Sequence, residues 1–186
     1  AWMELGALVC TPRNPRCTEC PLHNICRAAK LKNPEAFPRK KKKMKVPHKV
    51  VGAAVILNAR NRILIAQRNP EGGMLAGLWE FPGGKQAPGE TMKACIAREL
   101  KEEMGIEIEV GPHLVTVHHA YTHFTIELHA HFARIQSGRP RHLDCAGHAW
   151  VTADEFDHYP FSKADHGIIH ALRALPKPPR HHDCFK

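Results

Sequence analysis

The sequence has no apolar run approaching the roughly 20 residues that a membrane-spanning helix requires, which excludes helical insertion into a bilayer. Ala1 to Cys10 carry no charged segment ahead of an apolar core, so nothing there reads as a secretory signal. No internal repeat is present, which excludes solenoids and propellers. Acidic residues are scarce at one end: residues 1–49 hold 3, against 12 Lys and Arg, while residues 50–186 hold 15 of each sign. The formal charge of +9 therefore sits in the first quarter of the chain. A polyanion, nucleic acid above all, would meet that end first; the alternative is a solvated basic linker.

What is present bounds the fold. With 186 residues, 43% hydrophobic and 24% charged, the chain has room for one ordinary domain plus a small appendage, and can bury a sizeable core. Of seven cysteines, four lie within the first 26 residues. An odd count without a secretory signal points to a reducing compartment, the cytoplasm, where clustered thiols are more often metal ligands than disulfides.

The chain divides into four stretches. Residues 1–30 are Cys-rich; 31–47 (LKNPEAFPRKKKKMKVP) form a basic linker that repels itself; 48–176 have the pattern of a globular α+β domain; 177–186 read as a loose tail, whose His181 and His182 lack ligand spacing. In the globular part, VVGAAVIL and ILIAQ read as paired strands. IEIEV at 106–110 and FTIELHAHF at 124–132 alternate apolar and polar residues as half-buried strands do, the latter placing Phe124, Ile126, Leu128, Ala130 and Phe132 on one face. Glu90–Met104 has helical spacing with Ala94, Ala97, Leu100 and Met104 on one stripe and Gly105 as the stop. A second helix is expected from Thr152, capped by Glu155, and a third over about Ser162–Leu175.

Cys10, Cys17, Cys20 and Cys26 stand as C-x6-C-x2-C-x5-C, four thiolates that can close around one centre. Structural zinc usually draws its ligands as two close pairs, whereas only Cys17 and Cys20 are close here, which favours an iron–sulfur cluster. This spacing resembles the four-iron, four-sulfur loop of the endonuclease III and MutY branch of DNA glycosylases, and GALVCTPRNPRCTECPLHNICRA is similar to the MutY version. The resemblance implies that Arg13 and Arg16 face a DNA backbone, with Lys40, Lys41, Lys42 and Lys43 of the linker as further contacts. It also implies that the catalytic acids and helix-hairpin-helix of a glycosylase lie upstream of these residues, so base excision is not expected from them alone.

The stretch from Gly83 to Ile106 fits G-x5-E-x7-R-E-U-x-E-E-x-G-U, where U is aliphatic, at Gly84, Glu90, Arg98, Glu99, Leu100, Glu102, Glu103, Gly105 and Ile106. The carboxylates of Glu99, Glu102 and Glu103, at i, i+3 and i+4, share one face of a helix and repel one another. A hard divalent cation reverses that penalty, and oxygen-only ligands select magnesium or manganese over zinc. Such an ion can bridge phosphate oxygens and activate water, which is what cleaving a diphosphate requires. The pattern resembles the Nudix box, and the fold class expected is α+β, a Nudix α/β/α sandwich with a mixed sheet, preceded by the small Cys-rich cluster segment. The resemblance implies that Glu99, Glu102 and Glu103 are metal ligands with the Gly83 carbonyl as another. Glu99 would also activate water, Arg98 would orient Glu99, and Glu90 would support the loop.

Two neighbours narrow the substrate. GLWEFPGGK with LIAQR resembles MutT-type enzymes, which implies a nucleotide contact by Arg68 and a base-reading position at Asp165; Asp165 also fits as third residue of a capping box begun by Ser162. HAYTHF, residues 119–124, resembles the MutY loop that faces 8-oxoguanine, with Tyr121, Thr122 and His123 in place of Phe-Ser-His. Oxidation turns guanine N7 from acceptor to donor, and a hydroxyl such as that of Thr122 can respond to the change. Tyr121 could stack on a base or pack on the core, and His123 could bond only backbone. The expectation is a magnesium-dependent Nudix hydrolase converting 8-oxo-dGTP to 8-oxo-dGMP and pyrophosphate. The alternative is a non-hydrolytic module that recognises 8-oxoguanine in DNA as part of an adenine DNA glycosylase.

Overall fold

A computed structural model of the chain describes residues 2–37 and 46–176. The contacts divide it into two compact units, Ala1–Lys45 and Val46–Lys186. Lys40 to Lys43 and the 177–186 tail lie outside the described residues.

The first unit is built of short pieces: helix α1 (Trp2–Leu8), a 3-10 turn at Cys17–Glu19, helix α2 (Arg27–Lys30) and a 3-10 turn at Pro34–Ala36. None of these buries a residue, so little apolar burial holds the unit together. The expected linker begins later than residue 31. The Asn14 amide donates to Glu35 Oε1 at 2.9 Å, and Pro34 and Phe37 help line the cysteine cavity, so residues 31–37 pack with the cysteine segment.

The second unit is an α/β/α sandwich. Strand β1 (His48–Ile56) is central: it pairs in parallel with β6 (Thr125–Ser137) and antiparallel with the short β4 (Gly83–Lys85). The outer strand β5 (Glu107–Ala120) pairs with β6 across a hairpin, completing a mixed sheet ordered β4-β1-β6-β5. A second, antiparallel sheet joins β3 (Trp79–Glu80), β2 (Ile63–Gln67) and β7 (Gly147–Val151) in that order. The expected strand at 106–110 continues to Ala120, past register shifts between Val110 and Val115 that let it follow the twist of β6.

Strand β1 is buried on both faces, and its alternation builds two cores. Ala54 and Ile56 meet Ile96, Leu100 and Met104 of helix α3 (Met92–Met104). Ala53, Val55 and Leu57 meet Ile168, Ile169 and Leu172 of helix α4 (Lys163–Arg173). Each such side chain contributes about 1.5–3 kcal/mol when fully removed from water. Gly52 lets α3 approach: a Cβ there would sit 2.5 Å from Ile96 Cγ1 and 2.7 Å from Met92 Sδ.

The helices differ from expectation in detail. Helix α3 starts at Met92, because Thr91 caps it by accepting from the Ala94 amide at 3.2 Å, and it stops at Gly105 in the left-handed conformation, φ 66°. Its buried stripe runs through Cys95, Ile96, Leu100 and Met104, and Ala94 is exposed. The segment after Thr152 is a 3-10 helix, Ala153–His158, although the capping box of Thr152 and Glu155 is present. Residues Ile126, Leu128, Ala130 and Phe132 share one core face as the alternation requires.

Candidate active site

Where α3 meets β4, one arginine organises the acidic side chains. Arg98 donates from Nε and Nη2 to the two oxygens of Glu90, at 2.9 and 3.0 Å, and from Nη1 to Glu99 Oε1 and Glu102 Oε2, both at 3.0 Å. It also donates to the Lys85 carbonyl at 3.1 Å. Glu90 in turn accepts from the Ala87 amide at 3.0 Å, which closes the loop between β4 and α3. These bonds hold the Glu90 carboxyl down at about 2, the Arg98 bond being the largest cause. They raise Arg98 above its ordinary value.

Glycine is required beside this network. A Cβ on Gly84 would run into the Glu99 carboxylate, and one on Gly83, whose φ is 154°, would strike the Gly52 carbonyl.

A cavity of about 670 Å³ opens from these residues across the sheet. Gly83, Glu99, Glu103, Lys85, Glu80 and Arg68 are part of its lining. Phe81, Asp165, Ser162, Tyr121, Ile126, Leu128, Lys49, His123 and Phe124 line it as well. The fold thus brings Arg68, Gly83, Glu99, Glu103, Tyr121, His123 and Asp165, drawn from distant parts of the sequence, around one space. Glu102 and Thr122 are not among the residues that line it: Glu102 is 59% exposed and turned to Arg98, and Thr122 is exposed in the bend after β5.

The electrostatics of the acidic residues are those of a crowded site. Burial pushes Glu103 up to about 8, and Glu80, Glu99 and Asp144 add repulsion that Arg68 only partly relieves. Arg68 Nη1 donates to Glu80 Oε2 at 2.8 Å, while its buried Nε has no hydrogen-bond partner among the described residues. Burial likewise raises Glu80 despite that pairing.

In the same cavity wall, Asp165 is buried and pushed up to about 7, mainly by desolvation. Its Oδ1 accepts from the Phe81 amide at 3.1 Å and its Oδ2 from the Ser162 hydroxyl at 2.7 Å. Ser162 is the cap of α4 as well, so Asp165 serves in the helix terminus and in the cavity wall together. Tyr121 lies against His119 and Phe124, with ring centroids 4.5 and 4.8 Å away, and Lys49 Nζ stands 4.0 Å over the Phe124 ring.

The donor set fits a hard divalent cation: carboxylates crowded until one is held protonated are what such an ion relieves. Among the described residues no three His, Cys, Asp or Glu side chains already converge at ligand distance, and Arg98 holds Glu99 and Glu102. The arginine is the counter-ion of this state. In the first unit, Cys10, Cys17, Cys20 and Cys26 line one cavity of about 230 Å³ with His23 and Arg16, a donor set suited to an iron–sulfur cluster. Desolvation and the three neighbouring thiolates push the Cys17 thiol up. Arg13 is exposed; Arg16, also exposed, donates to the Leu8 carbonyl and to Glu19 Oε2.

Three residues around the site escape sequence reasoning. Glu80 is hidden inside the apolar GLWEFPGG run, and Lys49 carries no periodic signal. Asp144, in an irregular loop, takes its place through backbone bonds, its amide donating to the Glu103 carbonyl at 3.2 Å and its carbonyl accepting from Asn69 Nδ2 at 3.3 Å.

Comparison with known proteins agrees with this geometry. Residues 52–171 match the NUDIX domain, and residues 10–26 match the iron-sulfur binding domain of endonuclease III. The chain belongs to the Nudix family. It is 35% identical over 122 residues to the CTP pyrophosphohydrolase of Escherichia coli, covering 66% of this chain and 90% of that one. It is 38% identical over 129 residues to the putative 8-oxo-dGTP diphosphatase 2 of Mycobacterium tuberculosis, covering 64% and 84%. It is 28% identical over 203 residues to the adenine DNA glycosylase of Homo sapiens; the alignment takes in 84% of this chain and 37% of the human protein. The crystal structure of a MutT protein from Methanosarcina mazei superposes with a TM-score of 0.65 over 73% of this chain and all of that one, at 22% identity, which shows the shared fold. The chain is a Nudix hydrolase carrying an iron–sulfur binding motif.

Proposed function

We propose that the chain hydrolyses the diphosphate bond of an oxidised purine nucleoside triphosphate, 8-oxo-dGTP, giving 8-oxo-dGMP and pyrophosphate. The observation that carries this reading is the single cavity running from Glu99 and Glu103 to Asp165. A cavity of about 670 Å³ lined by both groups can receive phosphates and a purine together. Glu99, Glu102 and Glu103, with the Gly83 carbonyl, would hold Mg²⁺ or Mn²⁺, which when bound neutralises phosphate charge and lowers the pKa of water. Glu99, oriented by Arg98, accepts the proton of the attacking water. The Arg68 guanidinium offers a donor to a phosphate or base oxygen, and Lys85 adds positive charge in the same cavity. Asp165 and Tyr121 receive the base. The M. tuberculosis relative supports this substrate, whereas the E. coli relative is named for CTP.

The test is release of pyrophosphate from 8-oxo-dGTP with magnesium. Wild type should exceed a Glu99→Gln, Glu102→Gln double variant by several orders of magnitude, and equal rates would overturn the proposal.

A second reading has its own support. The cysteine motif, the +9 segment and the alignment with adenine DNA glycosylases favour engagement of DNA containing 8-oxoguanine, joined to an upstream glycosylase segment. Here the four cysteines would hold a four-iron, four-sulfur cluster, and Arg13, Arg16 and Lys40 to Lys43 would contact phosphates, with Thr122 and His123 facing the lesion. Such binding weakens steeply with salt. Affinity for a duplex with 8-oxoguanine opposite adenine that survives loss of Lys40 to Lys43 unchanged would remove the linker from this role.

A further inference from the structure

Three closed turns follow one another in the cysteine segment. The Cys20 amide donates to the Cys17 carbonyl at 3.2 Å, the His23 amide to the Cys20 carbonyl at 2.9 Å and the Cys26 amide to the His23 carbonyl at 3.3 Å. A turn closed in this way brings residues i and i+3 to within about 7 Å, Cα to Cα. Cys17, Cys20, His23 and Cys26 are thus a run of neighbours, and all four line the same cavity of about 230 Å³. Cys10 lines the cavity too but stands outside the run: it is exposed and follows helix α1, which buries no residue.

The spacing of the four cysteines gives His23 no role, yet its ring is fixed in the way that ligating imidazoles are. Nδ1 lies 2.7 Å from the Cys17 carbonyl oxygen. A carbonyl only accepts, so Nδ1 carries the proton and the neutral ring keeps its lone pair on Nε2. A backbone carbonyl on the second nitrogen is the usual support of a metal-bound imidazole, because it sets the tautomer and makes the other nitrogen more basic. Of the other polar residues lining the cavity, Arg16 is a cation without a lone pair, and the Thr11 hydroxyl donates to the Arg13 carbonyl at 2.9 Å.

Resting on the assignment of an iron–sulfur cluster to this segment, and independent of the hydrolase reading, we propose that His23 is a fifth ligand of the cluster site, an imidazole that takes over one iron when the Cys10 thiolate leaves it. The exchange is a ligand substitution. The bond between iron and Cys10 sulfur breaks and the thiolate takes up a proton from water; the Nε2 lone pair forms a bond to the iron left open, and no electron is transferred. Both residues are exposed, so one side chain leaves and the other enters without opening a core. Imidazole on a cluster iron has precedent in Rieske centres, where two replace two thiolates and raise the reduction potential. Cys10 is the ligand that His23 replaces because the run is complete without it, whereas loss of Cys17, Cys20 or Cys26 breaks the run. Among the described residues no three such side chains converge on a single ion, so these neighbours surround a space, as several irons require, rather than a point.

The test is iron, sulfide and zinc analysis of the full chain purified without oxygen, with electron paramagnetic resonance of the dithionite-reduced protein. None of these readouts depends on nucleotide hydrolysis. Wild type and His23→Ala should hold equal iron and sulfide. Cys10→Ala should keep both, with the reduction potential shifted upward and a nitrogen hyperfine coupling that wild type lacks. Adding His23→Ala to Cys10→Ala should remove iron and sulfide together. Adding His23→Cys instead should keep the cluster and abolish the nitrogen coupling. Iron lost from Cys10→Ala would overturn the inference, and its recovery with His23→Cys would show that the segment still folds around a cluster which the imidazole does not bind. A Cys10→Ala protein that keeps its cluster without nitrogen coupling, or holds zinc in its place, would overturn it equally. Iron absent from wild type removes the cluster reading and this inference with it; iron present in wild type and lost from Cys10→Ala removes the inference alone.

Discussion

Arg98 grips Glu90 with two nearly parallel hydrogen bonds of 2.9 and 3.0 Å, and the same guanidinium reaches Glu99. The loop-supporting acid and the acid expected to act on water are therefore joined through one planar cation. Such a fork is not reproduced by lysine, which offers a point charge.

Arg98→Lys and Glu90→Gln should each lower magnesium affinity or turnover by about 10–100-fold, the usual effect of an outer partner of metal ligands. Measured separately, the metal dissociation constant and kcat would show which of the two the network controls. Activity within twofold of wild type in both variants would refute the network's role.

Glu103 is one of the raised acids, with Asp165 and Glu80, that set the pH response of the metal-free protein. Its folded value, about 8, lies above the ordinary carboxylate value of 4.5, so its contribution to stability is full below about pH 4.5 and is lost as pH rises toward 8. Magnesium prefers the charged form, so its affinity should climb over the same range, with protons released on binding. Thermal melts from pH 5 to pH 8.5, with and without the ion, should show the two effects with opposite sign. Glu103→Gln should flatten the climb in affinity and shrink the fall in stability to the share left by Asp165 and Glu80.

Two glycines separate catalysis from stability. Gly84→Ala places a methyl against the Glu99 carboxylate and should reduce kcat about 100-fold while the melting temperature stays within a few degrees. Gly52→Ala presses on Ile96 and Met92, and overpacking of this kind costs about 1–3 kcal/mol. Denaturant titration beside steady-state kinetics distinguishes them.

Cys20→Ala should remove iron and sulfide together from protein purified without oxygen. The melting of the Nudix unit should stay unchanged, since the two units are compact separately. Retained iron without sulfide, or stoichiometric zinc, would contradict a cluster.

Much of this was legible in the sequence because it is local. The acids of α3, the Gly105 stop of the helix and the Cys spacing are set by intervals of a few residues, which chain geometry converts directly into shared faces or shared loops. The face of α3 that is buried was less legible. The apolar stripe through Ala94 and Ala97 competes with one through Ile96, and packing against Gly52 on strand β1, far upstream in the chain, decides for Ile96. The cavity wall around Asp165 was hidden for the same reason. Ser162, Tyr121 and Phe81 meet only through tertiary packing, so no window of the sequence holds their relation.

The parallel pairing of β1 with β6 has a consequence during synthesis. His48 finds Thr125, and Ile56 finds Ala133, 77 residues further along the chain. Until a ribosome has delivered that downstream segment, the apolar VVGAAVIL strand has only the short β4 and helix α3 as native neighbours and lacks its longest strand pairing, and closure of so distant a contact is slow as well as late. Translation arrest shortly before residue 125 should therefore leave a nascent chain dependent on chaperones, and release beyond Ala133 should let it protect itself.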